Sequence, residues 1–323
     1  MFILKNYTEY IEKKILEIDL PEKPNNLYEP IRYFLNLGGK RIRPILTLLA
    51  AELFGIKKGN VLYQALAIEI FHNFTLIHDD IMDEAMLRRN KETIHEKWDK
   101  NIGILTGDVM LIQAYQLLSK NISPNTLKDV LLLFNKTAIE VCEGQQSDMN
   151  FEHQENVSIA EYIQMIRKKT SVLLGCALQL GAIIASASTE DKDYIYEFGI
   201  NIGIAFQIQD DILDLYGDPE KFGKKIGGDI IANKKTILYL TALNKADKEE
   251  LKMLKTLKNE KNIELKIKQT RELFNSLKIK EDCENLMKSH YEKAKKALSQ
   301  ITVLEENKEA LIALSKYLMN RDV

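Results

Sequence analysis

The stretch "LIHDDIMDEAMLRRN", residues 76–90, places Asp79, Asp80 and Asp83 at the end of an apolar run, with Arg88 and Arg89 just beyond. A second stretch, "FQIQDDILDLYGD", repeats the acidic spacing with Asp210, Asp211 and Asp214. On a helix, residues four apart share a face, so Asp79 and Asp83 point one way, as do Asp210 and Asp214. Asp80 and Asp211 sit about 100° round, near enough to serve as alternate or outer ligands. Like charges at this spacing repel, and an acid near a helix C-terminus opposes the dipole at about 0.3–1 kcal/mol per group. A cation held between the carboxylates removes both penalties. Clustered carboxylate oxygens suit Mg2+, a hard ion that bridges one or two carboxylates to substrate phosphates. One such cluster reads equally well as a solvated helix end. Two copies, each behind an apolar helix and ahead of basic residues, argue against that. Neither has the alternating acidic loop of an EF-hand. A glycosidase-type carboxylate pair would leave the arginines unexplained. His78, beside Asp79, is read as packing or hydrogen bonding locally rather than as a base.

The basic residues belong to the same chemistry. "LGGKRIRP", residues 37–44, sets Lys40 and Arg43 three apart after a glycine turn. It lacks the spacing of a phosphate-binding Walker loop, and no strand precedes it. Guanidinium groups favour bidentate phosphate contacts, which gives Arg88 and Arg89 a purpose. "GKKIGGDIIANKK" follows the second acidic motif and supplies Lys224, Lys225, Lys234 and Lys235. Acidic sites for metals together with a separate basic site imply two anionic heads, one held through Mg2+ and one by Lys and Arg directly. Stepping back along the helix from Asp79 gives His72, Thr75 and Leu76. From Asp210 the same steps give Gly203, Phe206 and Gln207. Both stripes are mostly apolar, as a ligand with a charged head and a hydrocarbon tail requires.

The elements that must carry these residues are helices. Only six prolines occur in the 323 residues, with none between Asn125 and Asp218 and none after Pro219. Leu62, Leu66, Ile70, Phe74, Ile77 and Ile81 step at the helical period. Ser123 and Pro124 suit an N-cap and first helical position, and Gly217 with Pro219 a helix stop after Tyr216. No strand alternation or linker composition is visible. The pattern predicts an all-α chain forming one domain over residues 1–323, with lysine- and glutamate-rich outer helices in residues 244–298. A formal net charge of −2 argues against a nucleic-acid binder. Cys142, Cys176 and Cys283 lack metal-ligand spacing and read as reduced thiols of a cytoplasmic protein. The opening "MFILKNYTEYIEKK" lacks the apolar core of a signal peptide. "SVLLGCALQLGAIIASAS", residues 171–188, reads as a helix buried on all sides, its Gly175, Ala177, Gly181 and Ala182 admitting close neighbours, rather than as a transmembrane segment.

"GGKRIRP", "DDIMDEAMLRR", "GQQSD", Lys169–Thr170 and "FQIQDDILDLYGD" followed by "GKKIGGD" together resemble the trans-isoprenyl diphosphate synthases, in that family's order, over residues 27–235. The resemblance implies a helical bundle of the isoprenoid synthase type with a central active-site cavity, usually a homodimer, using about three Mg2+ per site. It implies that Asp79 and Asp83 ligate two ions with Asp80 beside them. Asp210 would ligate the third, with Asp211 and Asp214 holding its waters. Arg88, Lys169 and Lys224 would grip the allylic diphosphate, with Lys225 as the alternative to Lys224. Lys40, Arg43, His72 and Arg89 would hold isopentenyl diphosphate. Thr170, Gln207 and Lys234 would surround the developing cation, joining Lys169 as the catalytic set, and Gln145 and Asp148 would line the cavity.

The implied reaction is ionisation of an allylic diphosphate (dimethylallyl, geranyl or farnesyl), attack by isopentenyl diphosphate, and loss of a proton. Relatives of this kind gauge product length at the fourth and fifth residues before the first motif, here Thr75 and Phe74. A small and a large residue there resemble the archaeal short-chain pattern, making geranylgeranyl diphosphate, with farnesyl diphosphate as a further product. The rivals are a terpene cyclase, which generally lacks the second basic site, and a non-catalytic regulatory subunit, which would be expected to lose acidic residues.

Overall fold

The computed structural model describes residues 2–218 and 226–320; Pro219, Lys224 and Lys225 lie outside them. In chain order the helices begin with α1 (Phe2–Leu16), α2 (Asn25–Leu35), α3 (Ile42–Leu53) and α4 (Leu62–Met82). A two-residue hairpin, β1 (Leu87–Arg88) and β2 (Lys91–Glu92), precedes α5 (Ile94–Lys97), α6 (Lys100–Leu118), α7 (Pro124–His153) and α8 (Ile159–Ile166). After a π turn at Arg167–Ser171 come α9 (Val172–Ile184), α10 (Thr189–Tyr216), α11 (Gly228–Ile231) and α12 (Ile237–Lys245). The chain closes with α13 (Lys248–Lys258), α14 (Ile263–Ser276), α15 (Ile279–Gln300) and α16 (Glu305–Met319). The fold is all-α, as the sparse prolines and the helical period predict. The hairpin is a departure; four paired residues are too few to leave a period in the sequence.

Contacts divide the chain into two compact units. The first comprises Met1–Phe134, Cys176–Lys192 and Thr302–Leu311, the second Asn135–Gly175, Asp193–Ile301 and Ile312–Val323. In the first unit α4 is buried all round from Gln64 to Phe71, rather than along one stripe. Its polar residues there have partners: the Gln64 amide donates to the carbonyls of Leu118 (3.1 Å) and Lys120 (2.8 Å). Phe134 stands edge-on to Phe71 at 4.9 Å and to Tyr115 at 5.1 Å, closing the core. Ser123 caps α7 as expected, accepting from the Thr126 amide at 3.2 Å. Buried Cys176, Ala177, Leu178, Leu180 and Ala182 make α9 the internal helix its sequence predicts. Among the described residues no helix is long and apolar enough to cross a membrane.

In the second unit a capping box between Ser158 and Glu161 starts α8. Ile204, Ala205, Ile208, Ile212 and Leu215 bury one side of α10. The outer helices bury few residues, Leu254 and Leu257 on α13 for example. Lys266 on α14 breaks the solvated pattern. It is 6% exposed, and its ammonium donates to Asn233 Oδ1 (2.8 Å) and to the carbonyls of Lys258 (3.2 Å) and Ile231 (3.4 Å). A cation at these two helix C-termini satisfies their free carbonyls and complements their dipoles.

Candidate active site

The last turn of α4 presents the first acidic motif. The helix ends at Met82 and Asp83 caps it, its amide donating to the Asp79 carbonyl at 2.9 Å. Asp83 is exposed and Asp79 half-buried, whereas Asp80 is turned inward and only 2% exposed. Arg88 holds Asp80 through Nε (2.7 and 2.9 Å) and Nη2 (2.6 Å), and its Nη2 lies 4.0 Å from Asp79 Oδ2. Burial pushes the Asp80 carboxyl upward and the Arg88 hydrogen bonds pull it back. The hairpin places the arginines: Arg88 pairs with Lys91, and Arg89 and Asn90 fill the turn at φ 53° and 60°. Positive φ at both central residues matches the strand twist of a two-residue hairpin.

Across the first unit, "GGKRIRP" forms a tight turn into α3, with Gly38, Gly39 and Arg41 at φ 76°, 152° and 49°. Gly39 leaves room for the Arg89 guanidinium; a Cβ there would come within 2.9 Å of Nη2. Arg43 Nη1 donates to His72 Nε2 at 2.9 Å. Burial, and then the nearby arginines, hold His72 well below the usual histidine range, so the ring is a neutral acceptor. Burial also pushes Arg43 down to about 10. Its Nε is buried with no hydrogen-bond partner among the described residues, a donor fit for an added anion. Lys40 is exposed. The Thr75 hydroxyl donates to the His72 carbonyl at 2.8 Å. The Phe74 ring is half-buried between Phe71 at 5.5 Å and His78 at 4.8 Å. His78 is a local packing residue, its Nε2 bonded to the Ile104 carbonyl at 3.1 Å.

In the second unit, α10 carries Asp210, Asp211 and Asp214 in its final two turns. Asp211 is 5% exposed, and protein donors occupy both of its oxygens. The Tyr162 hydroxyl and the Ile237 amide (3.2 Å) donate to Oδ2, and Gln207 Nε2 (3.3 Å) to Oδ1. Burial, reinforced by Asp229, pushes the Asp211 carboxyl up to about 7. Asp214 Oδ2 accepts from the Asp229 amide at 3.0 Å. Lys169 Nζ meets Asp148 Oδ2 at 2.6 Å, and the Thr170 hydroxyl donates to Gln207 Oε1 at 3.2 Å. Gln145 is half-buried on α7, and Lys234 is exposed beyond α11. Its neighbour Lys235 donates to the carbonyls of Phe151 and Glu152 and so caps the end of α7.

Lys169 and Thr170 lie on the π turn, which α7 and α10 grip from the sides. A Cβ at Gly144 would fall 2.2 Å from the Lys169 amide nitrogen, and one at Gly203 would fall 2.7 Å from Ser171 Cα. Gly203 therefore serves close packing rather than lining a groove, which corrects the helical stripe counted back from Asp210. Sequence reasoning missed Tyr162, Asp229, Glu69 and the Gly144 contact. Asp229 had a signal, the "GGD" that ends "GKKIGGD"; the other three depend on partners 25 to 49 residues away in the chain, too far for any local pattern. Among the described residues no three His, Cys, Asp or Glu side chains gather closely enough to hold a metal by themselves.

With this geometry in hand, the comparisons are direct. The polyprenyl synthetase family profile matches residues 24–274. The chain belongs to that family. It is 36% identical to a geranylgeranyl pyrophosphate synthase of Geoglobus acetivorans, over 99% of this chain and 98% of that one. It is also similar to the crystal structure of a geranylgeranyl pyrophosphate synthetase from Pyrococcus horikoshii Ot3 (TM-score 0.92, 34% identity, 99% and 97% of the two chains). A polyprenyl synthase of Caulobacter crescentus CB15, crystallised with calcium and isoprenyl diphosphate, is a further similar structure (TM-score 0.83, 26% identity, 99% and 95%). The family is the one to which the ordered motifs pointed.

Proposed function

We propose that this chain is a short-chain trans-prenyltransferase that joins isopentenyl diphosphate head-to-tail to allylic diphosphates, giving geranylgeranyl and some farnesyl diphosphate. The observation that carries the reading is the repeat itself: an i,i+4 aspartate pair ends α4 and another ends α10. This reading treats residues 1–323 as one catalytic domain, cytoplasmic and homodimeric.

Family membership implies a divalent metal, and the donor set fits Mg2+. Carboxylate oxygens are present, but no group of three acids forms a cage among the described residues. That suits an ion which keeps several waters and completes its shell with substrate phosphate. Asp79, Asp83 and Asp210 would hold the ions, about three per site, with Asp214 beside them. Bound Mg2+ would supply positive charge to the diphosphate as its allylic C–O bond breaks. The remaining work belongs to the protein. Asp80 keeps Arg88 at the end of α4. Arg88 and Lys169, with Lys224 or Lys225, would grip the allylic leaving group. Arg43 offers its unmatched Nε, and with Lys40, Arg89 and neutral His72 binds isopentenyl diphosphate. Asp211 holds Gln207, whose carbonyl oxygen with the Thr170 hydroxyl lends dipoles to the allylic cation; Lys234, Gln145 and Asp148 flank it. The displaced diphosphate takes up the proton lost on elimination.

The test is to incubate the purified protein with Mg2+, labelled isopentenyl diphosphate and each allylic diphosphate, then to extract and size the lipid. Linear C20 diphosphate is expected. Cyclic hydrocarbon, or no product, would overturn the reading. Phe74 sets the floor for the tail, so Phe74→Ala should add at least one isoprene unit to the main product; unchanged lengths would reject that gauge.

A further inference from the structure

Glu69 is an acid at the centre of α4, 3% exposed, close to Arg41, Arg43 and Arg89. Its Oε1 accepts from Arg41 Nη1 at 2.7 Å and from Asn73 Nδ2 at 3.2 Å. Arg41 is itself only 2% exposed, and its other two guanidinium nitrogens also have partners. Nε binds Glu12 Oε1 at 2.9 Å and Nη2 binds the Leu35 carbonyl at 3.0 Å. Each of Arg41's three guanidinium nitrogens is thus held by the protein, unlike Arg43 two residues on, whose Nε has no partner among the described residues. The backbone of Arg41 is left-handed at φ 49°, a conformation a non-glycine residue keeps only when its surroundings over-determine it. The over-determining contacts are the side-chain bonds just named. What they fix is the turn over residues 38–43, which aims Arg43 at His72 and offers Gly39 to the Arg89 guanidinium.

We propose that Glu69, acting through Arg41, is a positioning residue for isopentenyl diphosphate: the buried pair sets the turn that holds Arg43 and Arg89 ready for a diphosphate. This rests on the function proposed above. A buried ion pair by itself is weak grounds for a stability role, since apolar replacements often serve as well. Its value here is the geometry it imposes and the negative charge it sets among Arg41, Arg43 and Arg89.

The experiment compares wild type and Glu69→Gln with each substrate varied while the other saturates. The expected result is a KM for isopentenyl diphosphate raised about tenfold, with kcat and the allylic KM changed by less than about threefold. Glu12→Gln, which loosens only the outer arm of Arg41, should raise the same KM by about two- to threefold. A lowered melting temperature with both KM values unchanged, or equal losses for both substrates, would overturn the proposal. If Glu69→Gln does not fold, Glu12→Gln decides, and an unchanged KM overturns it. Calorimetry of inorganic diphosphate binding without Mg2+ supplies a readout independent of turnover: weaker binding in the variants supports the proposal and equal binding refutes it. An inactive wild type would instead count against the parent reading.

Discussion

Asp79 and Asp80 are neighbours in sequence and physical opposites. Asp80 is enclosed by Arg88 and 2% exposed, while Asp79 stays half-buried on the edge that Asp83 extends. Asp79→Ala should cut kcat by about a thousandfold, because on the proposed mechanism it removes charge that would organise the metal and leaving group. Its melting temperature should hold, since a half-open carboxylate at a helix C-terminus contributes little to folding. Kinetics and a thermal melt of one preparation check both statements. The two roles could not be separated from the sequence. The helical period puts Asp79 and Asp83 on one face, but the inward turn of Asp80 depends on Arg88, whose position a hairpin fixes from eight residues away. Arg43 and His72 were each legible as basic groups; their 2.9 Å contact spans 29 residues and two helices.

Among the elements, the π turn at Arg167–Ser171 shows most clearly where local reading stops. "RKKTS" has no feature that forbids an ordinary helix. The widened turn comes from tertiary packing, with Gly144 and Gly203 pressing on its backbone. Such bulges often mark functional sites, and this one carries Lys169 and Thr170. Gly144→Ala should destabilise by about 1–3 kcal/mol through overpacking. It should lower kcat further than that loss explains, because the clash falls on the Lys169 amide; a urea titration beside steady-state kinetics separates the two. Two helices of the second unit also predict a pH response. His290 on α15 donates Nδ1–H to Asn201 Oδ1 on α10 at 3.0 Å, and burial pushes it down to about 4. The folded protein thus favours neutral His290 while the unfolded chain protonates near 6.5. The contribution is complete above 6.5 and is lost as pH falls through about 4. Urea midpoints measured between these limits should fall less steeply for His290→Gln than for wild type.

At the scale of the molecule, the helical class was legible because proline scarcity and periodic leucines are summed over long windows; α7 began at its Ser123 cap, and α4 and α10 ended at their acidic motifs. The first unit also leaves several large apolar side chains exposed. Ile104, Leu105 and Ile112 on α6 and Leu132 on α7 are 44–62% exposed, and such side chains suit a contact of the proposed homodimer. Ile112→Glu should shift a homodimer toward monomer in sedimentation at micromolar concentration; a wild type already monomeric would refute the contact. With Asp80 neutralised by its own chain, the end of α4 offers an incoming cation two carboxylates rather than three. On the proposed mechanism the empty protein would be a poor chelator, and pyrophosphoryl oxygens would complete the coordination shell. Ion and substrate would then enhance each other's affinity by the same factor, as reciprocity of coupled equilibria demands, and catalytic charge would accumulate only when there is a bond to break.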